Sequence, residues 1–167
     1  PPPTVAALAD WAAAHPGRFT HPGASNFMGA GFLKQALVEL APDRAALAAP
    51  PTDDSYATAT APLWAWYDAL RPHLWRGGAT FPENESVLQT MLNDGEVDFA
   101  MAFDPGAAAA AVARGLLPET VRSYAPEGGS LGNISFVAIP YNAASREGAE
   151  VVANLLLDPA IQAMAQN

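Results

Sequence analysis

The residues with the most chemistry in a short span are Gly128-Gly129-Ser130-Leu131-Gly132, which match the Gly-x-Ser-x-Gly pattern of a serine nucleophile elbow. An elbow needs a strand before it, a helix after it and a general-base histidine later in the chain. Here an apolar run follows instead, and His15, His21 and His73 all precede Ser130. The pattern therefore lacks the context of a hydrolase. The three histidines have no metal-ligand spacing, there is no cysteine, and neither a phosphate-binding loop nor a dinucleotide fingerprint occurs. Asp94, Glu96 and Asp98 crowd one stretch and read as a solvated acidic edge rather than an acid/base pair. The sequence predicts no catalytic set, no metal and no cofactor.

What remains is chemistry suited to binding. His21-Pro22-Gly23-Ala24-Ser25-Asn26 is a turn-rich loop that feeds a helix, and Ser25 and Asn26 are its cap candidates. A helix start also presents unpaired N–H groups to an anion, so these residues serve either as caps or as part of an anion receptor. Four tryptophans invite a binding-platform reading, but at helical spacing such residues belong first to the core.

The elements that position these residues alternate. Thr4 caps a helix from Val5 to His15, a short strand is expected at 18–20, and a second helix runs from about Phe27 to Leu40. Residues 41–61 read as a loop, Pro62 to Trp75 as an amphipathic helix, 79–81 as a strand, and the segment after Pro82-Glu83-Asn84 as a helix carrying Val87, Leu88, Met91 and Leu92. At the centre, Gly95 closes that helix, Val97 to Phe103 is an apolar run of strand length, and Asp104-Pro105 caps an Ala-rich helix ending at Gly115. Further strands are expected at 120–124 and 134–140, then a helix from Ala144 to Leu157 and a terminal one opened by Asp158-Pro159. The alternation predicts an α/β lobe of three layers, α/β/α, around a mixed, mostly parallel sheet of about five strands. In such sheets ligands lie beyond the carboxyl ends of the strands, here near Phe103 and Asp104.

Composition sets the outer limits. The chain has 167 residues, half of them hydrophobic, enough for one domain with a real core. A net charge of -9 without a basic run argues against nucleic acid and anionic membrane surfaces as partners. No apolar stretch approaches the roughly 20 residues of a membrane span. The opening Pro1-Pro2-Pro3 reads as the start of a processed or excised piece.

Several segments together carry a family resemblance. These are Trp11 to Thr20, Leu74-Trp75-Arg76-Gly77-Gly78, Asp94-Gly95-Glu96-Val97-Asp98, Gly132-Asn133 with Phe136 to Ala143, and Val152 to Gln162. The chain resembles the substrate-binding proteins of ABC importers, of the type II periplasmic class and closest to its YnjB-like subgroup. The resemblance implies the second lobe of a two-lobed Venus-flytrap protein, monomeric and periplasmic, that holds a small molecule between its lobes and delivers it to a membrane permease. Residues 1–133 would form the lobe, 134–142 a hinge crossover strand and 143–167 helices packing on the first lobe, unless the whole fragment is one compact domain. The implied ligand-binding positions are Ser25, Asn26, Phe27, Trp75, Arg76, Glu83, Asn84, Phe103, Asp104 and Asn133. The chain departs from the subgroup pattern across 21–29 and at Asp104, where the subgroup has Asn, which leaves ligand identity open. Helix starts at Ser25 and Asn84 suit an anion, whereas Asp104, the acidic surface and the tryptophans suit a cation, and the balance favours an organic cation. The rival readings are a ligand-sensing effector domain of a regulator and a serine hydrolase.

Overall fold

The computed structural model describes residues 1–165 and contains helices, turns and extended segments, with no strand or sheet among the described residues. The α/β three-layer lobe with its five-stranded sheet is thereby corrected. A ladder needs two segments that exchange successive hydrogen bonds, and apolar runs supply propensity for it but no partner. Residues 18–19 divide their backbone bonds between two different segments. The Asp98 N–H donates to the Arg18 carbonyl (2.8 Å) and the Trp75 N–H to the Phe19 carbonyl (2.7 Å), one rung each. Residues 134–140 have no ladder partner either, and Ile134 (75% exposed) and Phe136 (87%) leave their side chains in solvent.

The chain divides into two units, Pro1–Leu131 and the segment beginning at Gly132. The first is built on three helices packed together: α1 (Val5–Ala14), α2 (Phe27–Leu40) and α3 (Asp53–Leu70). Thr4 caps α1 by accepting the Ala7 N–H, as the sequence predicts, and Val5, Ala36 and Leu63 bring one residue from each helix into contact. A second cluster joins Ala12, Phe19, Leu70 and Leu74 beneath Phe32, Trp66 and Phe81.

Helix α3 begins nine residues before the predicted start. Thr52 and Ser55 form a capping box in which each side chain serves the other's backbone N–H, and Asp53 and Asp54 add negative charge to the first turn. Pro62 lies inside the helix, where it cannot donate to the carbonyl four residues back. The helix start predicted at Pro62 is thus corrected to Thr52-Asp53-Asp54-Ser55, where the capping box lies.

Helix α4 (Glu85–Asn93) starts at Asn84, whose side chain accepts the Val87 N–H, and its Leu88 and Met91 join Met28 and Val97 in a third cluster. The predicted Asp104-Pro105 cap is also corrected. Helix α5 (Ala107–Ala113) opens two residues later at Gly106, and the Asp104 carboxylate accepts the Gly106 N–H instead, closing a turn ahead of the helix. Asp94, Glu96 and Asp98 are all exposed, as a solvated acidic edge implies, and Asp98 also pairs there with the Arg18 guanidinium, which donates to the Gly95 carbonyl (2.6 Å).

The second unit contains α6 (Arg146–Leu156) and α7 (Pro159–Ala165), which pack against each other. The Asp158 carboxylate accepts the Ala160 and Ile161 N–H groups at the start of α7. On α6, Val152, Leu155 and Leu156 are all exposed.

One close approach fixes the entry to α2. A Cβ built on Gly29 would lie 2.1 Å from the Pro22 carbonyl oxygen and 2.2 Å from that of Gly23, so the loop lies directly on the helix backbone where a side chain would stand. Gly29→Ala therefore forces the loop outward and costs about 1–3 kcal/mol. Chemical denaturation checks this, and an Ala variant as stable as the parent contradicts the packing.

Candidate functional site

Three side chains determine how the start of α2 is held. The first is His21, which is 1% exposed. Its Nδ1 lies 2.7 Å from the Pro22 carbonyl oxygen, which only accepts, so Nδ1 carries the proton. Nε2 then accepts from the Tyr67 hydroxyl at 3.0 Å. Phe32 of α2 and Phe81 flank the ring at centroid separations of 4.7 and 5.0 Å. Burial lowers the His21 pKa from its ordinary value, only partly opposed by the bond to Pro22, because the imidazolium cannot be hydrated there.

The second is Asn26, the N-cap of α2. Its Oδ1 accepts the Met28 N–H at 2.8 Å, while its Nδ2 donates to the Glu83 carbonyl at 3.1 Å. That second bond ties the loop entering α2 to the loop entering α4. Both ends of the Asn26 amide are thus engaged, so in this structure it positions the two helix starts. The third is Phe27, which stays 62% exposed at the first position of α2.

Phe27 meets Phe103, itself 58% exposed, at a centroid separation of 5.2 Å and an interplanar angle of 42°. The Phe103 ring lies over Gly31, one turn along α2, at a distance where even a Cβ would make an ordinary contact of 3.8 Å. Two large apolar rings held together in solvent make an aromatic platform, and the exposed Asp104 carboxylate follows directly in the chain. Asp104 also borders a cavity of about 750 Å³ shared with Phe99, Met101, Leu117 and Tyr124.

The ten sequence-predicted positions therefore fall into groups. Ser25, Asn26, Glu83 and Asn84 cluster around the linked entries of α2 and α4, with Ser25 exposed and Asn84 occupied as the α4 cap. Phe27, Phe103 and Asp104 form the platform. Trp75 and Arg76 line another cavity of about 340 Å³, with Val87, Thr90, Met91 and Glu96. Trp75 also packs against the cluster containing Met28 and Met91, which connects it to α2 and α4. Asn133 lies in the second unit.

The sequence reading passed over His21 and Gly31 as parts of this site. His21 was set aside because it lacked a metal or catalytic partner, although a histidine before Pro-Gly at a helix entry could have been read as a buried anchor. Gly31 carried no comparable signal. Ser130 stands in a loop held on α2 by Gln35, whose amide donates to the Gly129 carbonyl and accepts from the Leu131 N–H. No strand or helix flanks it as an elbow requires.

Comparison with known proteins bears on what such a surface does. The family model described as bacterial extracellular solute-binding protein matches residues 1–166. The chain is similar to Protein YnjB of Escherichia coli strain K12, with 42% identity over 162 residues, covering 97% of this chain and 42% of that protein. The chain thus spans about two-fifths of the length of that relative. No solved structure matches.

The His21 geometry makes a pH prediction. The unfolded chain takes up a proton near the ordinary histidine value of about 6.5, whereas the folded chain resists until lower pH, so protons favour unfolding between those points. The contribution is complete above about pH 6.5 and is lost as pH falls toward the lowered folded value. Thermal melts from pH 8 to pH 5 should show this loss, and His21→Gln should flatten it. An identical slope in the variant contradicts the assignment.

Proposed function

Because this chain belongs to the bacterial extracellular solute-binding protein family, we propose that it is the ligand-binding part of an ABC importer's solute receptor, working in the periplasm and handing its ligand to a membrane permease. Family membership makes it a non-enzymatic binding protein that acts outside the cytoplasm. The observation that carries the proposal is the family match along nearly the whole chain.

In this reading residues 1–133 form one lobe, residues 134–142 cross over, and residues 143–167 pack on the remainder of a monomeric two-lobed protein with the ligand in the cleft between lobes. The exposed Val152, Leu155 and Leu156 of α6 support such packing, because an amphipathic helix lowers its free energy by covering its apolar stripe. The ligand-facing positions are the α2 and α4 entries, the Phe27–Phe103 platform with Asp104, the Trp75–Arg76 turn and Asn133.

The platform favours an organic cation. Aromatic faces attract a cationic group through their quadrupole, and the Asp104 carboxylate supplies the opposite charge. The experiment is a thermal-shift screen of organic cations on the full-length protein, followed by calorimetry of the best binder. Asp104→Ala should weaken its binding by about 1–3 kcal/mol. Unchanged affinity leaves Asp104 as the residue that closes the turn before α5 and nothing more.

A further inference from the structure

Arg76 is the non-glycine residue at positive φ among the described residues, with φ 52° and ψ 32°. It is followed by two glycines that also lie in the left-handed region, Gly77 and Gly78, each at φ 64°. Glycine adopts this conformation freely and a branched-out side chain does not. The turn therefore carries an arginine at the one of its three left-handed positions where a third glycine would relieve strain. Strain of this kind persists where the surroundings enforce it, and it clusters at ligand clamps and other functional sites.

The surroundings do enforce it. The Trp75 N–H is fixed to the Phe19 carbonyl at 2.7 Å and the Gly77 N–H to the Leu74 carbonyl at 2.8 Å. On the far side, the Arg71 guanidinium donates to the Gly78 carbonyl at 3.3 Å, and the Arg71 side chain fills the space a Cβ on Gly78 would need. The result places the Arg76 guanidinium over the Trp75 indole, with Cζ 4.1 Å from the ring centroid. A guanidinium centred over an aromatic ring is held there by cation–π attraction, which occupies none of its N–H donors. Among the described residues Arg76 has no ion-pair or side-chain hydrogen-bond partner, and it stays exposed beside the cavity of about 340 Å³. Glu96 lines the same cavity but forms no ion pair with it.

We propose that Arg76, held over Trp75 by the left-handed turn at 76–78, is an oxyanion receptor that takes a carboxylate or phosphate group of the solute on its free guanidinium N–H donors. The planar fork matches such a group with two parallel hydrogen bonds, which an ammonium cannot reproduce. The inference rests on the solute-binding reading and adds a second recognised group to the cation proposed at Asp104.

The test uses the full-length protein with benzoate and inorganic phosphate as probes, titrated by calorimetry. The wild type should bind at least one of them, and the stronger of the two identifies the oxyanion. Arg76→Lys should weaken that probe about tenfold, and Arg76→Gly should abolish binding while leaving the melting temperature equal or higher, because glycine relieves the turn. Binding of neither probe by the wild type overturns the proposal. So does an Arg76→Gly protein that binds as the parent does, and so does an Arg76→Lys protein of unchanged melting temperature and unchanged affinity, whatever the stability of the Gly variant. The outcome is separable from the broader reading. A solute that depends on Asp104 and ignores both Arg76 changes sinks this inference alone, whereas a full-length protein that binds no solute at all sinks the receptor reading.

Discussion

The buried imidazole of His21 is the interaction on which the rest of the first unit depends. It joins three pieces of chain that are far apart in sequence: its own loop through Pro22, α3 through the Tyr67 hydroxyl, and α2 through the Phe32 ring. A neutral imidazole is suited to this position because it donates at one end and accepts at the other. A charged one is not, since its charge would stand among the rings of Phe32, Tyr67 and Phe81 with no carboxylate bonded to it. With the loop held there, Gly29 lets Pro22 and Gly23 lie on the α2 backbone, Asn26 reaches Glu83, and Phe27 is delivered to the surface beside Phe103. The exposed platform thus rests on a buried polar group.

This dependence separates residues that hold the surface from residues that form it. His21, Gly29 and Asn26 are each fully committed to contacts within the protein. Phe27, Phe103, Asp104 and Arg76 instead keep ring faces, a carboxylate and a guanidinium open to solvent. Solute-binding proteins need both kinds, because a ligand-facing group is selective only when its own position is fixed beforehand. Trp75 belongs to both, packing against the cluster of Met28 and Met91 while the Arg76 guanidinium lies over its indole ring.

The helices were legible where local chemistry alone decides them. Thr4 and Asn84 act through bonds to N–H groups three residues on, and the stripe of Leu88 and Met91 follows directly from helical spacing. That no sheet forms among the described residues was not legible in the same way. The run from Val97 to Phe103 has the composition of a buried strand, yet pairing depends on distant segments, and here Arg18 contributes one rung through its carbonyl and an ion pair through its side chain. Pro62 misled because proline opens helices more often than it is carried inside them, while the Thr52–Ser55 capping box lay in a stretch whose Pro and Asp content reads as loop. Individual site residues could be named from the resemblance, but the Phe27–Phe103 contact joins positions 76 residues apart and no local pattern announces it.

Native mass spectrometry of the full-length protein, purified gently from the extracytoplasmic fraction of its host, tests the central claim most directly. A receptor for small solutes should carry a low-mass adduct near one per chain that is released on unfolding, and a Phe27→Ala/Phe103→Ala variant purified in parallel should lack it. A parent protein free of any adduct and unresponsive to added solutes, or a double variant that retains the same adduct in full, contradicts the account.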